Sequence, residues 1–200
     1  MRKTMTLTVV MITVALLSLT LWAEAGSVSG NVTDGPGGPG ISKALVALVS
    51  GNSVAAVGKT ASGGRYELDG VANGKYTIVV SARKYASKVD TITVAGDLVL
   101  NVPLTRLSKS DFKNLGRVVG FVKATGNKPV AKALLLLKKG NAVVGAAQPQ
   151  NATGVFELEW YPPGTYTVVA TAPGHNTATY SGQEITAGES LMIEVTLQPK

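Results

Sequence analysis

The chain has 200 residues, a formal net charge of +7, one histidine and no cysteine. The absence of cysteine excludes a disulfide framework, a thiolate nucleophile, zinc held by cysteine and a lipid anchor on cysteine. Because the chain has one histidine, a metal site built from several histidines is also excluded. With 16% charged residues, 45% apolar residues and 23 glycines, the composition is typical of a folded, turn-rich β protein.

The first 25 residues predict a secretory signal peptide. Arg2 and Lys3 precede an uncharged stretch over 5–23, which ends in a small-x-small cleavage pattern at 23–25. The alternative is an uncleaved membrane anchor, because about 18 apolar residues can span a bilayer. Serines and threonines lower the hydrophobicity of the stretch. We therefore predict cleavage after Ala25 and a secreted, periplasmic or cell-surface protein, with no transmembrane segment in the mature chain.

Residues 26–104 and 117–200 are two copies of one unit, offset by about ninety positions. The matching segments are 28–32 with 118–122, 44–48 with 133–137, 64–68 with 154–158, 74–80 with 164–170 and 98–104 with 191–197. Each copy is long enough to fold around its own hydrophobic core. Residues 105–116, between the copies, are polar and basic and predict a linker.

Within each copy, apolar residues alternate with other residues, which predicts strands with one buried face. Leu98, Leu100, Val102 and Leu104 form one such set, and alternate residues of 191–197 form another. Glycine- and proline-rich turns separate the runs, and no amphipathic helix is predicted after residue 25. The chain is therefore predicted to be all-β, with two tandem antiparallel sandwiches of about seven strands each.

The positive charge is spread along the chain. It lacks the clustered stripe of lysine and arginine that a nucleic-acid site needs, so nucleic acid is not a predicted partner.

Two strand motifs in each copy carry a family resemblance. In the first copy these are the segments 64–68 (GRYEL) and 74–77 (GKYT), and in the second they are 154–158 (GVFEL), 163–167 (PGTYT) and the turn 172–174 (APG). These motifs resemble the carboxypeptidase regulatory-like family, which is similar to transthyretin and belongs to the carbohydrate-binding-like sandwiches. Two departures are Asn73, where proline is usual, and residues 83–84, which replace a Pro-Gly pair.

The resemblance implies a prealbumin-like fold and an accessory, non-enzymatic role, with carbohydrate or cell-envelope glycan as the leading ligand class. The competing class is a structural or protein-interaction module that docks through strand edges or sandwich ends. Regulation of a separate peptidase is suggested only by the family's name.

The residues offer little for catalysis, so we predict no enzymatic activity, no cofactor and no metal. His175 lies in a turn, and no Gly-x-Ser-x-Gly motif accompanies it. Glu157 and Glu159 project from one side of a predicted strand, about 6.6 Å apart along the backbone, which is a spacing that glycosidases use. We expect both carboxylates to lie on a solvated outer face, where nothing would raise a pKa.

Intramolecular isopeptide bonds are a further chemical alternative, because adhesin and pilin domains that form them resemble this family. Their catalytic acid usually lies at the end of the Gly-x-Tyr-Thr strand, where this chain has Val80 and Ala170. Asn101 occupies a plausible last-strand position but alternates outward, and its counterpart is Glu194. The bond is not predicted.

The candidate binding residues are Trp160, Tyr161, His175 and Tyr180. Aromatic rings stack on sugar faces, and Trp160 is an added ring because the first copy has glycine at that position. We expect Trp160 to lie partly exposed at one end of the domain, near Tyr180 or His175, and Tyr161 to point inward. Asn31 and Asn151 begin N-glycosylation patterns, which matter only if the source glycosylates exported proteins.

Overall fold

The computed structural model describes residues 25–150 and 152–200. The predicted signal peptide, apart from Ala25, and Asn151 lie outside the described residues. Within the two described ranges, no helix is both long and apolar enough to cross a membrane.

The first copy forms a sandwich of two four-stranded sheets. Its strands are Ala25–Asp34 (β1), Leu45–Ser50 (β2), Ser53–Lys59 (β3), Arg65–Ala72 (β4), Gly74–Ser81 (β5), Lys88–Val94 (β6), Leu98–Val99 (β7) and Val102–Leu104 (β8), with a 3-10 turn at Ser62–Gly64. One sheet has the order β3-β2-β5-β6. In the other, β1 lies between β4 and the pair β7 and β8, which are two pieces of one interrupted strand.

The second copy repeats this architecture after a short helix, Asp111–Asn114 (α1). Its strands are Gly116–Ala124 (β9), Lys128–Pro129 (β10), Leu134–Lys139 (β11), Ala142–Ala147 (β12), Val155–Tyr161 (β13), Gly164–Thr171 (β14), Ala178–Ile185 (β15) and Ser190–Leu197 (β16). One sheet has the order β12-β11-β14-β15, and in the other β9 lies between β16 and the pair β13 and β10. The predicted all-β fold with two tandem sandwiches is confirmed.

One strand pairing differs from the antiparallel prediction. The last strand of each domain runs parallel to the first, with Leu98 opposite Val28 and Leu191 opposite Val118. An antiparallel neighbour is typical where a hairpin joins two strands. Here the last strand arrives by crossing over from the other sheet, so its direction is not set by a hairpin.

Each domain has its own hydrophobic core. The first is built around Val28, Leu48, Tyr66 and Ile78, and the second around Phe156, Leu135, Leu137 and Val195. The alternating residues of the last strands point inward as predicted, while Met192 between them is exposed.

A third apolar layer joins the two domains, and the sequence analysis did not predict it. The outer face of the β3-β2-β5-β6 sheet packs on the outer face of the β12-β11-β14-β15 sheet. The buried residues of this layer are Leu45, Ala47, Val49, Val79, Leu134, Leu136, Ala146 and Val169. Because β2 and β11 are covered on both faces, their apolar residues run continuously and do not alternate. The continuous apolar runs at 45–49 and 134–137 are the sequence pattern that indicates this contact.

The linker is fastened to both domains. The Arg106 guanidinium donates to the Asp34 carboxylate at 2.5 Å and to the Tyr85 hydroxyl, both in the first domain. At the other end, the Leu115 carbonyl accepts from the backbone N–H of Gly188 in the second domain at 2.9 Å. These bonds and the apolar layer hold the two sandwiches together.

Candidate functional site

A cavity of about 370 Å³ lies between the two domains, beside the apolar layer. The first domain supplies its wall from the β2–β3 region and from the loop that joins β5 to β6. The second domain supplies the ends of β12 and β13. The polar residues that line the cavity are Lys43, Lys59, Ser81, Arg83, Ser87, Gln148, Gln150, Glu157, Glu159 and Tyr161.

Glu157 and Glu159 are not solvated, so that part of the sequence prediction was wrong. Both project from the outer face of β13, but their side chains are only 15% and 12% exposed. Arg117 of the neighbouring strand β9 donates to Glu157 at 2.6 Å. Glu159 accepts from the backbone N–H of Lys84 at 3.1 Å and pairs with Arg83 at 3.6 Å. Arg83 and Lys84 belong to the first domain, whose β5–β6 loop covers this end of β13.

Burial raises the pKa of Glu159 above the ordinary value of a glutamate. The backbone N–H of Lys84 opposes this rise, because a hydrogen bond to the ionised carboxylate stabilises it. The nearby Glu157 raises the pKa further through like-charge repulsion, and the Arg83 guanidinium lowers it. The domain contact thus raises the pKa of a carboxyl on a face where the sequence predicted no such shift.

Tyr161 points inward as the sequence analysis expected. Its ring belongs to the core of the second domain and is 4% exposed, while its hydroxyl lies 3.1 Å from the Ser87 hydroxyl of the first domain. Burial raises the pKa of Tyr161 to about 12, so the phenol stays protonated. Gly145 makes room for it, since a Cβ at that position would lie 1.9 Å from the Tyr161 oxygen.

Lys43 and Lys59 bring positive charge to the first-domain wall of the cavity. Neither ammonium takes part in an ion pair within the described ranges, whereas both carboxylates of the cavity are paired with arginines. The two lysines therefore leave the wall with cationic groups that can meet an acidic substituent of a ligand.

Trp160 is packed against the linker. Its ring lies 4.4 Å from the ring of Phe112 in α1, tilted by 46°, and the Arg117 guanidinium lies over it at 5.7 Å. The residue occupies a β-bulge with a φ of 62°. The contact with Phe112 was not predicted from the sequence. The pattern that could have indicated it is a single aromatic residue in an otherwise polar linker.

The structure does not bring Trp160 together with His175, which corrects that expectation. Trp160 precedes Tyr161, which is opposite Gly116 at the start of β9. His175 bridges Pro199, just beyond the pairing of Leu197 with Ala124 at the other end of β9. His175 lines a second cleft between the domains, of about 400 Å³, with Lys132 and Asn52.

Tyr180 makes a structural contact at a strand edge. Its hydroxyl accepts from the backbone N–H of Thr196 on β16 at 2.8 Å. This bond satisfies one donor on an edge that would otherwise be open for pairing. Of the four predicted binding residues, Tyr161 is thus the one that lines the cavity with the two carboxylates.

The sequence analysis also considered an isopeptide bond, N-glycosylation and a metal site, and the described residues concerned lie outside the cavity. Val80 and Ala170, at the positions of the isopeptide acid, are buried apolar residues. Asn31 is exposed on β1. In the described part of the chain, no three histidine, cysteine, aspartate or glutamate side chains group in a way that could hold a metal ion.

Three solved structures are similar to this chain at low sequence identity. The TIE protein of Bacillus anthracis is 17% identical over 88% of this chain and 34% of its own, with a TM-score of 0.34. A streptococcal ancillary pilin is 12% identical over 88% of this chain and 63% of its own, also with a TM-score of 0.34. The minor pilin of Streptococcus agalactiae is 12% identical over 88% of this chain and 96% of its own, with a TM-score of 0.36.

The chain spans less than two thirds of the length of the first two structures, and no curated protein matches it. The model of the carboxypeptidase regulatory-like domain matches residues 27–105 and 117–198, which is well over half of the sequence. The resemblance seen in the sequence motifs is confirmed, and the chain belongs to the carboxypeptidase regulatory-like domain family.

Proposed function

We propose that this chain is an exported, non-enzymatic protein that binds carbohydrate in the cavity between its two domains. The observation that carries the proposal is the lining of that cavity, where hydrogen-bonding side chains of both domains converge on a space of about 370 Å³. This volume is in the range of small-molecule sites. Export rests on the predicted signal peptide.

The side chains of the cavity suit a ligand that is rich in hydroxyl groups. A sugar hydroxyl both donates and accepts, and so do the amides of Gln148 and Gln150. The carboxylates of Glu157 and Glu159 accept only, and the ammonium groups of Lys43 and Lys59 donate only. A saccharide can hydrogen-bond to all three kinds of group at once, whereas an apolar ligand can hydrogen-bond to none of them.

The two lysines further favour a saccharide that carries a carboxylate or another acidic group. Both glutamates are already paired with arginines, so the uncompensated charge of the cavity wall is positive. An acidic sugar would meet Lys43 and Lys59 as a charge-assisted contact, which is stronger than a contact between neutral groups.

The arrangement supports binding more than turnover. A glycosidase needs one carboxyl free to protonate the leaving oxygen and the other free to act on the sugar or on water. Here Arg117 holds Glu157, and Arg83 together with the Lys84 backbone holds Glu159. These contacts fix the carboxylates as acceptors in the wall.

The proposal is tested by titrating the purified protein with neutral and acidic oligosaccharides of cell envelopes, using calorimetry and chemical-shift mapping. We expect saturable binding, with the acidic members binding more tightly. The double variant Gln148→Ala, Lys59→Gln should weaken binding by at least about tenfold. Bound sugar should be recovered intact.

Two matched variants serve as controls. Lys132→Gln removes an exposed lysine from the second cleft, and Trp160→Ala removes the ring first considered as a sugar platform. Neither should change the affinity. Absence of binding to every saccharide would contradict the proposal, as would binding that survives the double variant. Cleavage of the sugar would contradict the non-enzymatic part.

A further inference from the structure

The outer sheet face of the second domain carries a contiguous group of exposed apolar side chains. We call it the apolar strip and define it as Val119 and Phe121 on β9, Val155 on β13 and Met192 on β16. Met192 is 78% exposed, Val155 is 47% exposed and Phe121 is 37% exposed, and Val119 is half-buried. Contiguous exposed apolar surface often marks an interaction site.

Strand register makes the strip continuous. Phe121 lies opposite Val155, and Val119 lies opposite Met192. Side chains directly opposite each other in antiparallel strands, such as Phe121 and Val155, have Cβ atoms about 5 Å apart. The strip therefore runs diagonally across three strands and forms a flat surface, which suits another flat surface better than it suits a single inserted peptide.

Charges on the same face are compensated within it. The Arg117 guanidinium donates to Glu157 at 2.6 Å, and Lys123 pairs with Glu194. Lys123 also lies over the Phe121 ring, with its ammonium 5.7 Å from the ring centre. The strip is thus framed by two ion pairs, and the face as a whole presents no excess of either sign.

We propose that the apolar strip is an interface between two copies of this chain. The chain carries a net charge of +7, or +6 after the predicted cleavage, so two copies repel each other overall. The face around the strip is neutral, so two copies can meet there without like-charge repulsion while they bury Met192, Val155 and Phe121. An isologous contact between identical patches is the commonest way for soluble proteins to form dimers.

The equivalent face of the first domain lacks such a strip. The residues aligned with Val119, Phe121, Val155 and Met192 are Ser29, Asn31, Arg65 and Val99. Val99 is 74% exposed, but polar or charged residues surround it. The first domain therefore provides a matched control for the second.

The experiment is sedimentation of the purified protein over a micromolar concentration series, with Met192→Lys compared against Val99→Lys. Both variants add one positive charge at an exposed position of the strand next to β9 or β1. We expect a wild-type dimer, a dissociation constant raised at least about tenfold by Met192→Lys, and an unchanged constant for Val99→Lys.

At a protein concentration too low for dimers, thermal unfolding of both variants should match the wild type, since neither side chain contributes to a core. A wild-type protein that stays monomeric throughout the series would overturn the proposal. A dimer that Val99→Lys weakens as much as Met192→Lys would also overturn it. Because the strip lies outside the cavity, either result leaves the carbohydrate proposal to be judged by its own titration.

Discussion

The two domains share a fold but differ at equivalent positions, and the differences follow from what covers each one. Glu157 and Glu159 align with Glu67 and Asp69 of the first domain. In the second domain, the β5–β6 loop of the first domain contacts Glu159, and Arg117 pairs with Glu157, whereas Glu67 and Asp69 are exposed. The contact between the two domains is not symmetric. The strand β13 of the second domain therefore lines a cavity, whereas the equivalent strand β4 of the first domain has a solvated outer face.

A second difference lies at the bulge that precedes the Gly-x-Tyr-Thr strand. Both copies place a residue with positive φ there, Gly70 at 69° and Trp160 at 62°. Glycine adopts this conformation without strain. Trp160 is strained, and its contacts with Phe112 and Arg117 offset that cost. At this bulge the second domain therefore has a strained Trp160 whose side chain contacts the linker, whereas the first domain has an unstrained glycine.

The largest expected effect comes from breaking the layer between the domains. Leu136→Glu places a carboxylate among buried apolar residues of both sheets. An unpaired buried charge costs about 3–5 kcal/mol, and here that cost falls on the contact between the domains, so we expect the domains to separate while each stays folded. Small-angle scattering should show a more extended particle, and calorimetry should show two unfolding transitions.

The control for this variant is Leu136→Met, which conserves volume and costs less than about 1.5 kcal/mol. It should keep the compact particle. If Leu136→Glu retained the compact shape and one transition, the apolar layer would not be what joins the domains.

A smaller effect is expected at the bulge, where two substitutions separate packing from strain. Trp160→Ala removes the ring from Phe112 and keeps the strained φ, so it should lower the free energy of unfolding by about 2 kcal/mol. Trp160→Gly also removes the ring but relieves the strain. It should therefore be more stable than the alanine variant by about 1 kcal/mol.

Denaturant unfolding measures both variants. A glycine variant less stable than the alanine variant would mean that the left-handed backbone at this bulge is not strained by a side chain.

The smallest effect concerns the pH dependence of stability. Because the pKa of Glu159 is raised in the folded protein, the native state holds this proton more tightly than the unfolded state does. Stability should then decrease as the pH rises from the ordinary glutamate value of 4.5 through the raised folded value. Glu159→Gln should remove this decrease.

Denaturant midpoints measured across that pH range test the prediction. The matched control is Asp69→Asn at the exposed equivalent position of the first domain. If Asp69→Asn changed the slope as much as Glu159→Gln, the effect would come from general charge and not from burial between the domains.

Much of the fold could be predicted because its signals are local. Alternation over 98–104 and 191–197 reflects the geometry of a single strand, and the turn residues report on their own backbone. The parallel pairing of the last strand could not be read in this way, since it depends on a crossover between sheets. For the cavity, the sequence pointed to Tyr161 and to the pair Glu157 and Glu159. It did not point to Lys84, Arg83 and Ser87, because these residues reach the cavity from more than 70 positions away in the chain.

The sequence by itself determined the duplication, the strands and the two separate cores, because these follow from side-chain periodicity and from turns of a few residues. Only the tertiary structure decided which outer faces are covered, which glutamates are buried and what Trp160 contacts. Those outcomes depend on how one finished sandwich packs on the other, and no pattern within a single strand contains that information.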